Sequence, residues 1–198
     1  MNSRLYFYLA AFIATVAVLG LGYASDRVNA DWQYQPDWAV SGEYWRLISG
    51  HIAHLNLTHA ALNMAALWLI VFNLGEQYRT REWLFAGLVI SVGISLGLWL
   101  WRPDLSDYVG LSGTLHGLLL YGLAPLCQAK SKLAWLALAA VGGKLALEQL
   151  APNTNISTQE LIGGNVITDA HLLGAMIGAL FYAARTGLIT LTNTRSKA

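Results

Sequence analysis

Four side chains in this sequence have the chemistry of acyl transfer, and each interrupts an apolar run: His59, Asn63, Ser112 and His171. A serine hydroxyl is a weak nucleophile until a base takes its proton, and imidazole can serve as that base. The tetrahedral intermediate that follows needs hydrogen-bond donors aimed at its oxyanion. An Asn amide and a second imidazole are suitable donors. His59 and Asn63 are four positions apart, so on a helix they share one face, and Asn56 would extend the stripe. Ser112 would add its own backbone N–H if it opens a helix, where that group has no intrahelical acceptor. Each residue taken singly has a plainer explanation. A serine in a membrane helix usually bonds back to a carbonyl, and a lone His or Asn more often links two helices. No Asp or Glu is an obvious third member: Asp169, two positions before His171, would point away from it on a helix.

The elements that would carry these groups are membrane spans. Hydrophobic residues make up 56% of the 198 positions and charged ones only 12%, about half the charge of an ordinary soluble domain. A bilayer core of about 30 Å needs roughly 20 apolar residues per helix. Six runs meet that need: Leu5–Tyr23, Ile52–Leu74, Trp83–Trp101, Tyr108–Cys127, Leu133–Leu150 (apolar except for Lys144 and Glu148) and about Val166–Ala184. The first resembles a secretory signal, since "GYA" ends at Ala24, but its apolar core is longer than such signals carry. It is read as a retained helix. The chain is therefore expected to be a single all-α membrane domain, 1–198, of six spanning helices.

Basic residues orient such a bundle. With a cytoplasmic N-terminus, the inner segments carry Arg4, Arg79, Arg81, Lys130, Lys132, Arg185, Arg195 and Lys197, and the outer ones only Arg27, Arg46 and Arg102. Asp26, Asp31, Asp37, Glu43, Asp104, Asp107, Glu160 and Asp169 all fall outside. Both termini are expected to be cytoplasmic. The long outer loops, Ala24–Gly50 and about Ala151–Asn165, are where function tends to sit. In this topology the second, fourth and sixth helices all start on the outer side. His59, Asn63, Ser112 and His171 then lie within roughly 10–15 Å of one boundary. Polar groups at that depth are costly, and their coincidence argues for a site. Gly113 and Gly117 on the fourth helix and Gly174 and Gly178 on the sixth have GxxxG spacing, which allows close contact. A crossing there would bring Ser112 towards His171.

These residues resemble the rhomboid intramembrane serine proteases. The Gly-x-Ser-Gly pattern of that family is Gly110–Gly113 here. Its His-x-x-x-Asn pair is "HAALN", His59–Asn63, with His54 five positions earlier. Its Ala-His-x-x-Gly is "AHLLG", Ala170–Gly174, and its Trp-Arg is Trp45–Arg46. The resemblance covers nearly the whole chain. It implies Ser112 as nucleophile and His171 as general base, a dyad without an acid, with His59, Asn63 and the Ser112 N–H as oxyanion hole. It implies cleavage of a membrane-anchored substrate near the outer end of its transmembrane segment, under a cap formed by about residues 151–169. Where the family often has a tyrosine four residues after the serine, this chain has His116. "SGTLHG" is more similar to the rhombosortase branch, associated with substrates bearing a C-terminal Gly-Gly motif, a hydrophobic helix and a basic tail. His116 is expected to contact His171 by stacking or hydrogen bond, with His54 also supporting the site.

The remaining assignments are modest. Trp45 and Arg46 are expected to brace the first loop. Glu148 is expected near the outer surface, paired with Lys144 four positions away. Cys127 is the sole cysteine and is read as packing, so no disulfide or CxxC site is available. Trp83, Trp99 and Trp101 suit an interfacial aromatic belt. His51 with His54 or His59 lacks a Cys or carboxylate to complete a metal site, so no metal and no cofactor is expected. A net charge of +1 gives no reason to expect nucleic acid. The expected setting is a bacterial inner membrane, the site opening to the periplasmic side. A rhomboid-like binder without activity is the alternative, though it would usually lack Ser112 or His171. A small transporter would show repeats and midplane breaks instead of polar groups at one end.

Overall fold

The computed structural model describes residues 3–24, 30–151 and 156–195. Asp26, Arg27 and Lys197 of the charge count lie outside them, as do residues 152–155 of the second long loop. Among the described residues the regular structure is helical: α1 (Ser3–Tyr23), α2 (Trp38–Ser41), α3 (Arg46–Ile52), α4 (Leu57–Leu74), α5 (Thr80–Trp101), α6 (Ser112–Gln128), α7 (Lys132–Leu150), α8 (Ile156–Ile162) and α9 (Thr168–Arg195). Among the same residues an antiparallel bridge joins Tyr34 to Tyr108, and four stretches are long and apolar enough to cross a membrane: Leu5–Tyr23, Leu57–Gln77, Thr80–Trp101 and Lys132–Leu150.

Two helices begin later than their apolar runs. The run from Ile52, the last residue of α3, enters α4 only at Leu57, because Ala53 and Asn56 are extended and Asn56 caps α4, accepting from His59 N–H. The run from Tyr108 becomes helical only at Ser112. Gly110, at φ +120°, turns the chain there in a conformation that side-chain-bearing residues rarely adopt. Hydropathy could not mark the second start, since residues 109–111 are as apolar as the helix they precede. Both starts place a polar residue in the first turns of a helix.

α6 packs chiefly against α9, with α5 alongside both. The four glycines make that contact. A Cβ on Gly174 would collide with the Gly113 carbonyl, and one on Gly178 with the Gly117 carbonyl. Ile90, Ile94 and Leu98 of α5 fill the flank with no exposed surface. In lipid such close packing, more than expulsion of water, holds helices together.

The segment between α1 and α4 is held by side chains reaching backbone. The buried Arg46 guanidinium donates to Glu43 Oε2 at 2.8 Å, to Gln33 O at 2.7 Å and to Ala30 O at 3.3 Å. Ser49 Oγ donates to Trp32 O at 2.7 Å. Trp45 is half exposed and donates to Asp31 O at 3.3 Å. This segment reaches the start of α6 through the Tyr34–Tyr108 pair and through Gly110 N–H, which donates to Gly50 O at 2.9 Å.

At the opposite end, Tyr78 stacks on Tyr121, and Arg185 sits 4.6 Å over the Tyr78 ring. Trp83 belongs here. It is 3% exposed, stacked on Phe7 and edge-on to Tyr121, so it is a core residue and not part of an interfacial belt. Trp99 and Trp101 are exposed, as a belt requires, and Cys127 is buried in the core.

Candidate active site

The first turns of α4, α6 and α9 meet around a cavity of about 130 Å³. Its lining includes His59 and Asn63 from α4, Ser112 from α6 and His171 from α9, with Thr158, Ile162 and Asn165 from the segment above. The glycine crossing sets the closest approach of the set: His171 Nε2 lies 2.8 Å from Ser112 Oγ. His171 is buried, while Ser112 keeps partial exposure to the cavity.

Gly110 lets the α4 donors come close. A Cβ there would lie 2.7 Å from His59 Cε1, 2.8 Å from His59 Nε2 and 3.8 Å from Asn63 Nδ2. Asn63 Nδ2 is buried with no hydrogen-bond partner. A buried donor left unmade costs stability, and one beside an attacking hydroxyl suits an oxyanion. The Ser112 N–H, at the first residue of α6, needs no intrahelical acceptor. His54 sits behind His59, ring centroids 4.9 Å apart and edge to face, with its Nδ1 2.8 Å from Ile52 O.

His116 lies against His171. The rings stack with centroids 4.3 Å apart, and His116 Nδ1 is 2.7 Å from Ser112 O. Asp169 points elsewhere, into an ion pair with Arg102.

Two expectations need correction. Asn56 does not extend the His59–Asn63 stripe, because its oxygen caps α4. Its Nδ2 donates to Ile162 O at 2.8 Å, tying α8 over the cavity. Glu148 lies near the end of α7, as expected, but is turned inward. It does pair with Lys144, at 2.6 Å, but its carboxylate is buried and turned to His171, with Nδ1 at 3.1 and 3.0 Å from its two oxygens. An acid therefore stands at the histidine, where none was expected. The i,i+4 partner on its own helix hid it. The signal that could have found it was depth: Glu148 is two residues from the C-terminal end of α7, at the level where Ser112 opens α6 and His171 lies near the start of α9.

The metal reading of His51 meets different partners. His51 Nε2 faces Ser95 Oγ and its Nδ1 faces Thr114 Oγ1, both away from His59. Burial pushes the His51 imidazole down to about 4, which keeps it neutral.

Comparison with known proteins gives two findings. The family model "Rhomboid domain" matches residues 41–186. The chain is 26% identical over 154 residues to "Rhomboid protease GluP" of Bacillus subtilis (strain 168), covering 75% of this chain and 27% of that relative. The chain thus spans about a quarter of the length of the relative it matches.

Proposed function

The chain belongs to the rhomboid family, and on that premise we propose that it is an intramembrane serine endopeptidase. The observation that carries the proposal is the 2.8 Å approach of His171 Nε2 to Ser112 Oγ at the edge of a cavity that also receives the unpartnered Asn63 amide. Ser112 Oγ attacks the scissile carbonyl while His171 Nε2 takes its proton. The oxyanion falls to the Ser112 N–H, the Asn63 amide and His59. His171 then returns the proton to the leaving amine, and water hydrolyses the acyl-enzyme by the same route. His54 supports His59, His116 supports His171, Trp45 and Arg46 brace the first loop, and Gly110, Gly113, Gly117, Gly174 and Gly178 permit the close approaches.

The proposal includes a single domain over 1–198 with six spanning helices. Four spans meet the length and hydropathy requirement outright. α6, at 17 residues, is shorter than those four, and with α9 it forms the glycine-bearing pair at the centre. With both termini cytoplasmic, the site opens to the periplasmic side of a bacterial inner membrane. The substrate is a membrane-anchored protein cut near the outer end of its transmembrane segment. His116 in "SGTLHG" supports the rhombosortase branch, and with it C-terminal Gly-Gly sorting tails. No metal or cofactor takes part.

A fluorophosphonate probe applied to the full chain in vesicles tests the activity. It should label the wild type and leave Ser112→Ala and His171→Ala unlabelled, although both reach the membrane. Near-normal cleavage by either variant would remove the pair from catalysis. A wild type that is never labelled at Ser112 would leave a rhomboid-like binder. Mass spectrometry of membrane and secreted proteins, with and without this chain, should reveal new C-termini at Gly-Gly tails if the branch is right.

A further inference from the structure

The hydrogen bonds that leave His171 return to it around a closed ring. His171 Nδ1 meets the Glu148 carboxylate at 3.0 and 3.1 Å. Glu148 Oε1 accepts from Lys144 Nζ at 2.6 Å, and Lys144 Nζ meets His116 Nε2 at 3.1 Å. His116 Nδ1 meets Ser112 O at 2.7 Å, and Ser112 Oγ meets His171 Nε2 at 2.8 Å. Donor chemistry sets every direction. A carboxylate in an ion pair and a backbone carbonyl only accept, and an ammonium only donates. His116 must therefore carry its proton on Nδ1 and accept from Lys144 on Nε2. His171 must carry a proton on Nδ1, and the neutral imidazole then presents a free Nε2 lone pair to the Ser112 hydroxyl. That is the tautomer a general base needs.

Burial makes the same point independently. The Lys144 side chain is 48% exposed, whereas that of Glu148 is 5% exposed. A carboxylate taken out of water is costly unless it is paired and hydrogen-bonded. A role limited to neutralising Lys144 gives no reason to bury Glu148 against the imidazole.

We propose that Glu148 is the third member of the catalytic group, a positioning residue that holds His171 in its Nδ1–H tautomer and faces the imidazolium formed during acyl transfer. The inference rests on the serine-protease reading above. As the Oγ–carbon bond forms and an electron pair moves onto the carbonyl oxygen, the Ser112 proton passes to Nε2. The new positive charge lies against Glu148. When the carbon–nitrogen bond breaks, that proton leaves with the amine, and Glu148 has neither gained nor lost one. Lys144 and His116 steer the carboxylate.

The test uses the full chain in phospholipid vesicles and a fluorophosphonate probe, whose reaction needs the same proton transfer with fluoride as leaving group. Saturation of labelling separates the maximal rate from the probe's half-saturating concentration. Glu148→Gln keeps the shape but can present an N–H to Nδ1 and so favour the wrong tautomer. Its maximal labelling rate should fall about 10²- to 10⁴-fold, the scale of an acid-to-amide change at this place in a serine protease. Half-saturation and melting temperature should stay near wild type. Glu148→Asp, which keeps the acceptor, should recover at least about tenfold of that loss. A Gln variant labelled within about threefold of wild type would overturn the proposal. So would a loss in Gln matched by a lower melting temperature and shared in full by Asp, which would mark a packing role. Absence of Ser112 labelling in the wild type would instead reject the serine-protease reading beneath it.

Discussion

On one side of the first turn of α6, His51 lies between two hydroxyls; on the other, His171 lies beside one. The His51 cluster runs in one direction throughout. Ser95 Oγ donates to Leu47 O, so it accepts from His51 Nε2–H at 3.0 Å. His51 Nδ1 then accepts from Thr114 Oγ1 at 3.2 Å, and Thr114 accepts from Ser91 Oγ at 2.9 Å. Every donor in this chain has an acceptor, and all its members are buried. The His171 cluster has the same histidine–hydroxyl pairing, adds the Glu148 carboxylate at Nδ1, and has a different balance. Its imidazole holds the proton on the other nitrogen, its serine borders a cavity, and an Asn amide beside it has no partner. Residue type does not separate a structural histidine–hydroxyl pair from a reactive one. A free donor and space for a ligand do.

The first way to break that comparison is to remove the free donor. Asn63→Ala takes away a hydrogen bond that the resting protein does not make, so stability should hardly fall. Turnover should drop about 100- to 1000-fold, the usual loss for one oxyanion donor, or less if His59 takes up the load. Affinity for the substrate should stay close to wild type, because the contact strengthens only in the transition state. Steady-state kinetics on a cleaved substrate would check this. A change confined to affinity would make Asn63 a structural residue like Thr114.

Much of this arrangement was legible in the sequence, for a physical reason. Lipid offers no hydrogen bonds, so Ser112, His171, His59 and Asn63 stood out in their runs, and the small-residue spacing marked the helix pair that meets. What was not legible came from the same reliance on hydropathy. Residues 53–55 and 108–111 lie inside apolar runs but are not helical, since hydrophobicity does not report backbone conformation. The signals there were Asn56 as a cap and Gly110 as a turn. Trp83 has the composition of an interfacial residue, and only its neighbours Phe7 and Tyr121 show it is buried. Glu148 looked complete with Lys144, because a one-helix pattern cannot show what packs from another helix.

A smaller effect should follow from exchanging the residue that stacks on the base. His116→Tyr keeps an aromatic ring against His171 but gives up the ring nitrogens that meet Ser112 O and Lys144. The loss of one such hydrogen bond is worth about 1 kcal/mol, or roughly fivefold in rate. Fluorophosphonate labelling should therefore persist in His116→Tyr and vanish in His171→Tyr. If His116→Tyr is inert while His171→Ala still labels, His116 is the base and the two histidines exchange roles.

The smallest effect on chemistry, and the largest on stability, belongs to the saturated cluster. Thr114→Val keeps the shape but leaves His51 Nδ1 without its donor and Ser91 without its acceptor. An unsatisfied buried group costs about 1–3 kcal/mol. The melting temperature should fall, while the labelling rate of what remains folded stays within about threefold of wild type. The saturated cluster also sets a direction with pH. His51 in the fold is pushed down to about 4 by burial, against about 6.5 in an unfolded chain. Above 6.5 both states hold it neutral and its contribution to stability is complete. As pH falls from 6.5 towards 4 the unfolded state takes up a proton that the fold refuses, and that contribution is lost progressively. Melting curves between pH 7 and 4 should thus slope downward with acid in the wild type and less steeply in His51→Gln, which cannot titrate. Equal slopes in the two proteins would show that His51 is not the acid-sensitive group. A Thr114→Val variant of normal stability that fails to label would show that the two sides of α6 form one catalytic unit.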